Sequence, residues 1–276
     1  MALREERGER GMRDPNATSR KRLRMGELEI DVVTFAEALD AIDALITSGK
    51  GGTVFTPNVD HVVQADEDPR LRDAYAGVSL SLVDGMPLMW AARLMGQPFP
   101  EKISGSDLVL PLMRRAAARR WRVYFFGGAD GVAERAKAQL EKDIPGLHVV
   151  GWSSPRVDVD EPRAQRDATL AAVRAAKPDL VMVALGAPKQ ELWSRAVVDE
   201  LRPAVLVGCG ASLDFIAGVL TRAPSWMSDA GLEWLYRLGQ EPGRLWRRYL
   251  LRDPKFALIL LRTMRRARRE RARAAS

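Results

Sequence analysis

From Met25 onward, short runs of aliphatic and β-branched residues alternate with Ala-, Leu- and Arg-rich stretches of helical spacing, and this alternation constrains the fold more than any other feature. The β-type runs are Leu28–Val33, Thr53–Thr56, Ser79–Val83, Arg122–Phe126, Leu147–Val150, Leu180–Leu185 and Ala204–Gly208. Between them, Ser106–Arg120, Gly131–Lys142 and Arg163–Ala176 read as helices. Strands that alternate with helices build an α/β domain: a Rossmann-like, mostly parallel sheet with helices on both faces. Residues 123–136, VYFFGGADGVAERA, show the unit in miniature as strand, glycine turn and helix.

The two ends read differently. Residues 1–24 are charged and aperiodic, which predicts a disordered basic tail. Residues 25–220 form the α/β domain, and 221–276 a helical, arginine-rich appendage in which Pro242 interrupts one helix and Pro254 opens the last. The net charge of +7 is unevenly placed: 237–276 carry +10 and 1–24 carry +4, so the domain between them is acidic. A basic stripe confined to an appendage points to an anionic surface as partner. The final segment, Phe256–Ala275, joins a short apolar patch to many arginines and fits lying on an anionic membrane leaflet. A nucleic-acid tail is the competing reading, against which the acidic domain counts. FALILL at 256–261 is far shorter than the roughly 20 residues that span a bilayer. The single cysteine, Cys209, can form no internal disulfide, so a reducing compartment is expected.

In a parallel sheet, ligands gather beyond the carboxyl ends of the strands. Four loops there carry polar groups: Thr56-Pro57-Asn58, Asp84-Gly85, the 186–191 run GAPKQE and the 208–212 run GCGAS. Asp84 can serve as a general base or as a turn or cap residue. Thr56 and Asn58 can orient a hydroxyl or phosphate, and Asn58 is also a good helix N-cap. The Gly127-Gly128 and Gly208-Cys209-Gly210 turns resemble phosphate cradles, with tight strand-to-helix packing the alternative. No GxGxxG or GxxxxGK[ST] is present, which disfavours a dinucleotide oxidoreductase. Asp158-Val159-Asp160 has the DxD pattern of some metal-using sugar transferases, but its Pro-flanked polar setting reads as a solvated loop. His61 and His148 read as packed or surface residues. Arg237, Arg244, Arg247 and Arg248 recur at helical spacings and suit phosphate binding, with surface salt bridging as the alternative.

Eight motifs in order, TPNVDH (56–61), DGMPLMW (84–90), PEKISGSDL (100–108), FFGG (125–128), GAPKQE (186–191), GCGASLDFIAG (208–218), RAP (222–224) and GLEWLYRLGQEPGRLWRR (231–248), resemble the WecG/TagA/CpsF glycosyltransferases, family 26, from about Gly26 to Phe256. The resemblance implies an inverting, metal-independent transferase. It would move a sugar, N-acetylmannosamine or a relative, from a UDP-sugar to a polyprenyl-diphosphate-linked glycan in cell-surface polysaccharide assembly. No cofactor and no nucleic acid is expected. The enzyme would sit on the inner face of the plasma membrane, and a homo-oligomer is compatible with the sequence. Asp84 would be the base, with Thr56 and Asn58 beside it. Gln190, Gly127, Gly186, Gly208 and Gly210 would bind substrate, and Arg237, Arg244 and Arg247 would come from the appendage onto the diphosphate. Lys102 departs from the arginine usual at its place in that family, which removes a planar fork but keeps the charge.

Overall fold

The computed structural model describes residues 20–160 and 163–274, so most of the expected N-terminal tail lies outside the described residues. The first element corrects the boundary read from sequence. Arg22–Met25 (β1) is a strand, antiparallel to Leu28–Asp31 (β2), and Gly26 takes the positive φ of +62° in the turn between them. Leu28 and Ile30 therefore lie in a hairpin, outside the parallel sheet. A two-residue turn with a glycine permits a hairpin, whereas a parallel pairing needs a crossover. Asp31 ties the hairpin to its neighbour: it is buried, holds Arg22 at 2.9 Å and accepts from the Ser81 N–H at 2.8 Å.

The main sheet contains Gly52–Phe55 (β3), Leu80–Ser81 (β4), Arg122–Gly127 (β5), His148–Ser153 (β6), Leu180–Ala184 (β7) and Val205–Gly208 (β8). Their order is β4-β3-β8-β7-β5-β6 and every pairing is parallel. β3, β7 and β8 are buried along their whole length, as central strands covered on both faces must be. On one face Val54, Val205, Met182 and Phe125 pack with Ile42, Leu108, Leu112 and Ala133. On the other, Phe126, Val183 and Leu206 meet Val173, Val197 and Trp193, and the Phe126 and Trp193 rings stack at 4.0 Å.

The C-terminal segment is broken into short pieces: helices Ser225–Asp229, Glu233–Gln240 and Pro242–Arg247, a π-turn at Arg248–Arg252, a 3-10 turn at Asp253–Lys255, and the helix Phe256–Ala274. Pro242 starts a new helix, as its missing N–H favours. Pro254 falls inside the 3-10 turn, just ahead of the last helix. Phe256 and Ile259 are buried with Met25, Leu28, Val62 and Phe55, so this helix shares a core with the hairpin and the helix Val59–Glu67. The contact is close enough that a Cβ on Gly26 would stand 2.9 Å from Ile259. Ion pairs repeat along the same seam: Arg248 and Arg252 meet Asp60, Lys255 meets Glu67, and Arg262 meets Asp66.

Candidate active site

A cavity of about 300 Å³ opens beyond the ends of β3 and β4, beneath the C-terminal segment. The loops after those strands supply Asn58 and Asp84, and the loop between the helices Met86–Leu94 and Gly105–Arg119 supplies Lys102; the segment above supplies Glu233, Arg237, Arg248, Tyr249 and Asp253. The domain therefore provides one wall and the C-terminal segment the other.

Asp84 is pinned by its backbone. Its N–H donates to the Pro57 carbonyl at 2.9 Å, and the Ile103 N–H donates to the Val83 carbonyl at 2.8 Å. The residue that caps the following helix, Met86–Leu94, is Gly85 at φ +94°, and no side chain caps it. The cap reading of Asp84 thus falls away. Its carboxylate lines the cavity and accepts no hydrogen bond among the described residues. Burial, reinforced by the Glu233 carboxylate, lifts it to about 6, while Lys102 pulls in the opposite direction. A carboxyl poised there is ionised at neutral pH yet basic enough to take a proton.

Asn58 has both roles that the sequence left open. It caps the helix Val59–Glu67, accepting from the Asp60 N–H at 3.1 Å, and it lines the cavity. Its Oδ1 also accepts from Arg248 Nη2 at 3.1 Å. Behind it runs a buried chain of polar groups. His61 Nδ1 accepts from the Asn58 N–H at 3.2 Å, and its Nε2 meets Glu191 Oε1 at 3.2 Å. Gln190 Nε2 donates to that same oxygen at 2.8 Å, and its Oε1 accepts from the Gly210 N–H at 3.0 Å. The chain links the loop after β3 to the loop after β8 and fixes the helix start that carries Asn58. His61 is accordingly a packed residue, whereas His148 is exposed on β6.

The remaining sequence candidates separate into two groups. Arg237 lines the cavity, with its guanidinium 5.9 Å from the Phe215 ring. Arg247 instead lies exposed over Trp246 at 5.3 Å and does not line it. Arg244 sits on the helix Pro242–Arg247, and its side chain falls outside what is described. The arginine that reaches inward is Arg248, the first residue of the π-turn. Thr56 is buried at the end of β3 against Gly105 and is not part of the lining. Gln190 is buried in the polar chain above. Gly208 is glycine because a Cβ would meet Gln190 Nε2 at 2.9 Å, and Gly127 because a Cβ would meet the Ala184 carbonyl at 2.7 Å. Those two loops follow the packing alternative in this structure. Gly186 and Gly210 hold positive φ in the flanking turns. Lys102 is steadied by Asp107 at 3.6 Å, which Ser104 and Arg222 bind in turn, so the PEKISGSDL and RAP motifs support one cation.

Glu233, Tyr249 and Asp253 escaped the sequence reading, since acids and aromatics on amphipathic helices carry no marker of function. Asp158 accepts from the Asp160 N–H at 3.0 Å and Asp160 pairs with Arg70 at 2.7 Å, a solvated turn away from the cavity lining. No group of three or more His, Cys, Asp or Glu placed to hold a metal occurs among the described residues. No described helix is long and apolar enough to cross a membrane.

The sequence model of the glycosyl transferase WecG/TagA/CpsF family matches residues 23–270. A Bacillus spizizenii protein, an N-acetylglucosaminyldiphosphoundecaprenol N-acetyl-beta-D-mannosaminyltransferase, is 32% identical over 236 residues, covering 81% of this chain and 89% of its own length. A Bacillus subtilis protein of the same name is 31% identical, covering 77% of this chain and 80% of its own.

Proposed function

The chain belongs to the WecG/TagA/CpsF glycosyltransferase family, and from that premise we propose that it transfers N-acetylmannosamine from a UDP-sugar, with inversion, to a polyprenyl-diphosphate-linked N-acetylglucosamine. The observation that carries the reading is Asp84: a carboxyl raised to about 6, without a hydrogen bond to any described side chain, in a cavity roofed by arginines.

Transfer requires a nucleophilic hydroxyl and a stabilised leaving group. Asp84 takes the proton of the acceptor hydroxyl as its oxygen bonds the anomeric carbon. The bond from that carbon to the UDP oxygen breaks on the opposite side, which inverts the centre. UDP departs with added negative charge, and among the described residues Lys102, Arg237 and Arg248 are the cations lining the cavity to receive it. The family resemblance names Arg247 for that role; the geometry favours its neighbour Arg248. With those cations supplying the charge, the reaction is expected to proceed with EDTA present, and a strict divalent-ion requirement would overturn that part of the reading.

The acceptor's lipid has to be met at a bilayer. Trp226, Leu250, Leu251, Leu258 and Leu261 are exposed apolar residues of the arginine-rich C-terminal segment, and they support peripheral attachment to an anionic leaflet. The test of the central claim is Asp84→Asn. It is expected to bind UDP as the parent does and to lose at least about a hundredfold in kcat, within the range general-base catalysis contributes. Normal turnover by a folded Asp84→Asn would refute the base assignment.

A further inference from the structure

The π-turn at Arg248–Arg252 has a geometric consequence for the cavity. In an α-helix, at 3.6 residues per turn, residues five apart stand about 140° from each other. Here the Asp253 N–H bonds the Arg248 carbonyl, the i to i+5 pattern of a wider turn. That pattern brings residue 253 back to the side of residue 248, and both line the cavity with Tyr249. Such insertions cluster at functional sites because they re-aim side chains at a local cost in helix geometry.

What the turn delivers is an unsatisfied acid. Asp253 is half-buried and lines the cavity; its Oδ1 is enclosed without a hydrogen-bond partner among the described residues, so only the rest of the carboxylate is open to a ligand there. The nearby guanidinium of Arg248 is engaged with Asn58 and Asp60, and Arg252 with Asp60. Buried carboxylate oxygens are seldom left bare in native proteins, because the desolvation they suffer goes uncompensated. Burial raises this carboxyl to about 6 despite Arg248 beside it.

We propose that Asp253 is a substrate-binding residue that accepts a hydrogen bond from a hydroxyl or amide N–H of a sugar ring held in the cavity. The inference rests on the transferase reading above and adds to it the recognition of the sugar. Charge decides the ligand group. A phosphate would be repelled by the carboxylate and is drawn instead to Lys102 and Arg237, which line the same cavity. The uncharged part of a sugar nucleotide or of the lipid-linked acceptor offers donors without that repulsion. Asp253 and the cations thus divide the cavity into a part for the sugar and a part for the diphosphate.

The test uses the full chain and its Asp253→Ala and Asp253→Asn variants. UDP binding is measured by calorimetry, and transfer kinetics are measured with UDP-N-acetylmannosamine and a lipid-diphosphate N-acetylglucosamine varied in turn. Loss of a charge-assisted hydrogen bond is expected to raise KM for one sugar substrate by about tenfold or more in Asp253→Ala, with UDP affinity within twofold and kcat less affected. Which substrate's KM moves tells donor from acceptor. Asp253→Asn keeps an acceptor oxygen and should fall between; it also carries the test if the alanine variant does not fold. Both KM values within twofold of the parent in a folded variant would overturn the proposal, as would an equal loss of UDP affinity, which would place the contact on the nucleotide. If the parent neither binds nor transfers the sugar nucleotide, the transferase reading falls together with this one; an active parent with an indifferent variant sinks only the role of Asp253.

Discussion

Replacing Asp84 by Asn should make the protein more stable while it destroys turnover, and the size of that gain can be worked from the structure. The carboxyl sits at about 6 when folded against 3.8 for the free group. Folding therefore favours its protonated form. Below about pH 3.8 the group is protonated in both states and no penalty applies. Stability is lost as the pH rises through about 6, and above that the full cost is present. Two units at about 1.36 kcal/mol each set a ceiling of about 3 kcal/mol. Asp84 keeps part of its surface in the cavity's water, so about 1–2 kcal/mol is the figure to expect. For a chain of this size that is a rise of roughly 2–6 °C in the unfolding midpoint.

The assay is thermal unfolding of parent and Asp84→Asn across a pH series from 4.5 to 8, read beside kcat/KM. The difference in midpoint should be largest above pH 7 and shrink toward pH 4.5, where the parent carboxyl is protonated. The groups that set the raised value, Glu233, Lys102, Asp107 and His61, are common to both proteins, so their own titration largely cancels in the difference. In the parent, kcat/KM should fall as the pH drops below about 6, because a protonated base accepts nothing. A variant no more stable than the parent at pH 7.5, or a gap that does not narrow on acidification, would refute the claim that the site holds its acid under electrostatic strain.

Three other perturbations probe separate parts of the structure. Asp60→Asn leaves Arg248 and Arg252 without their shared, almost buried carboxylate, so a loss of about 2 kcal/mol and weaker UDP binding are expected by denaturant unfolding and calorimetry; a variant with unchanged stability and UDP affinity would show that the seam does not aim Arg248. The double substitution Leu258→Glu and Leu261→Glu removes two apolar side chains that are 66% and 52% exposed and should cut binding to anionic vesicles at least tenfold with little change in melting, whereas undiminished binding would place the membrane contact elsewhere. Burial pushes the Cys209 thiol up to about 12, and the thiol leans on the Val183 carbonyl at 3.4 Å, so iodoacetamide at pH 8 should leave it intact in the native protein and modify it in urea; rapid native labelling would contradict its burial.

The parallel sheet was legible because its signal is redundant. Each central strand is a short run of aliphatic residues closed by glycine or a polar loop, and all six main-sheet strands appear within a few residues of the expected places. The hairpin was half legible: Leu28–Val33 reads as a strand, but its partner RLRM, at 22–25, looks like the end of a charged tail. Arg22 is held there by Asp31 and the Val78 carbonyl, partners that the local sequence does not reveal. That Asp84 and Asn58 would line a cavity was readable for a general reason, since ligands gather beyond the carboxyl ends of parallel strands. Gln190, Gly127 and Gly208 were not separable in that way. A phosphate-cradling loop and a glycine crowded by a neighbour look alike until the neighbour, here Gln190 or the Ala184 carbonyl, is on the page.

The arginines show where periodic reasoning stops. A spacing of seven and then three places Arg237, Arg244 and Arg247 on one face only if a single helix runs through them. Pro242 ends that helix and begins another, so the phase is reset before Arg244. The π-turn resets it a second time, just after Arg247. The restart at Pro242 sets the phase in which Arg248 faces inward beside Asn58 while Arg247, about 100° away, lies outside on Trp246, and the π-turn returns Asp253 to the cavity. Neither break changes the composition of the segment, and the second has no local sequence signature. In this segment the choice of which charges serve the site is therefore made by backbone hydrogen bonding, with Asp60 as the fixed point against which Arg248 and Arg252 are set.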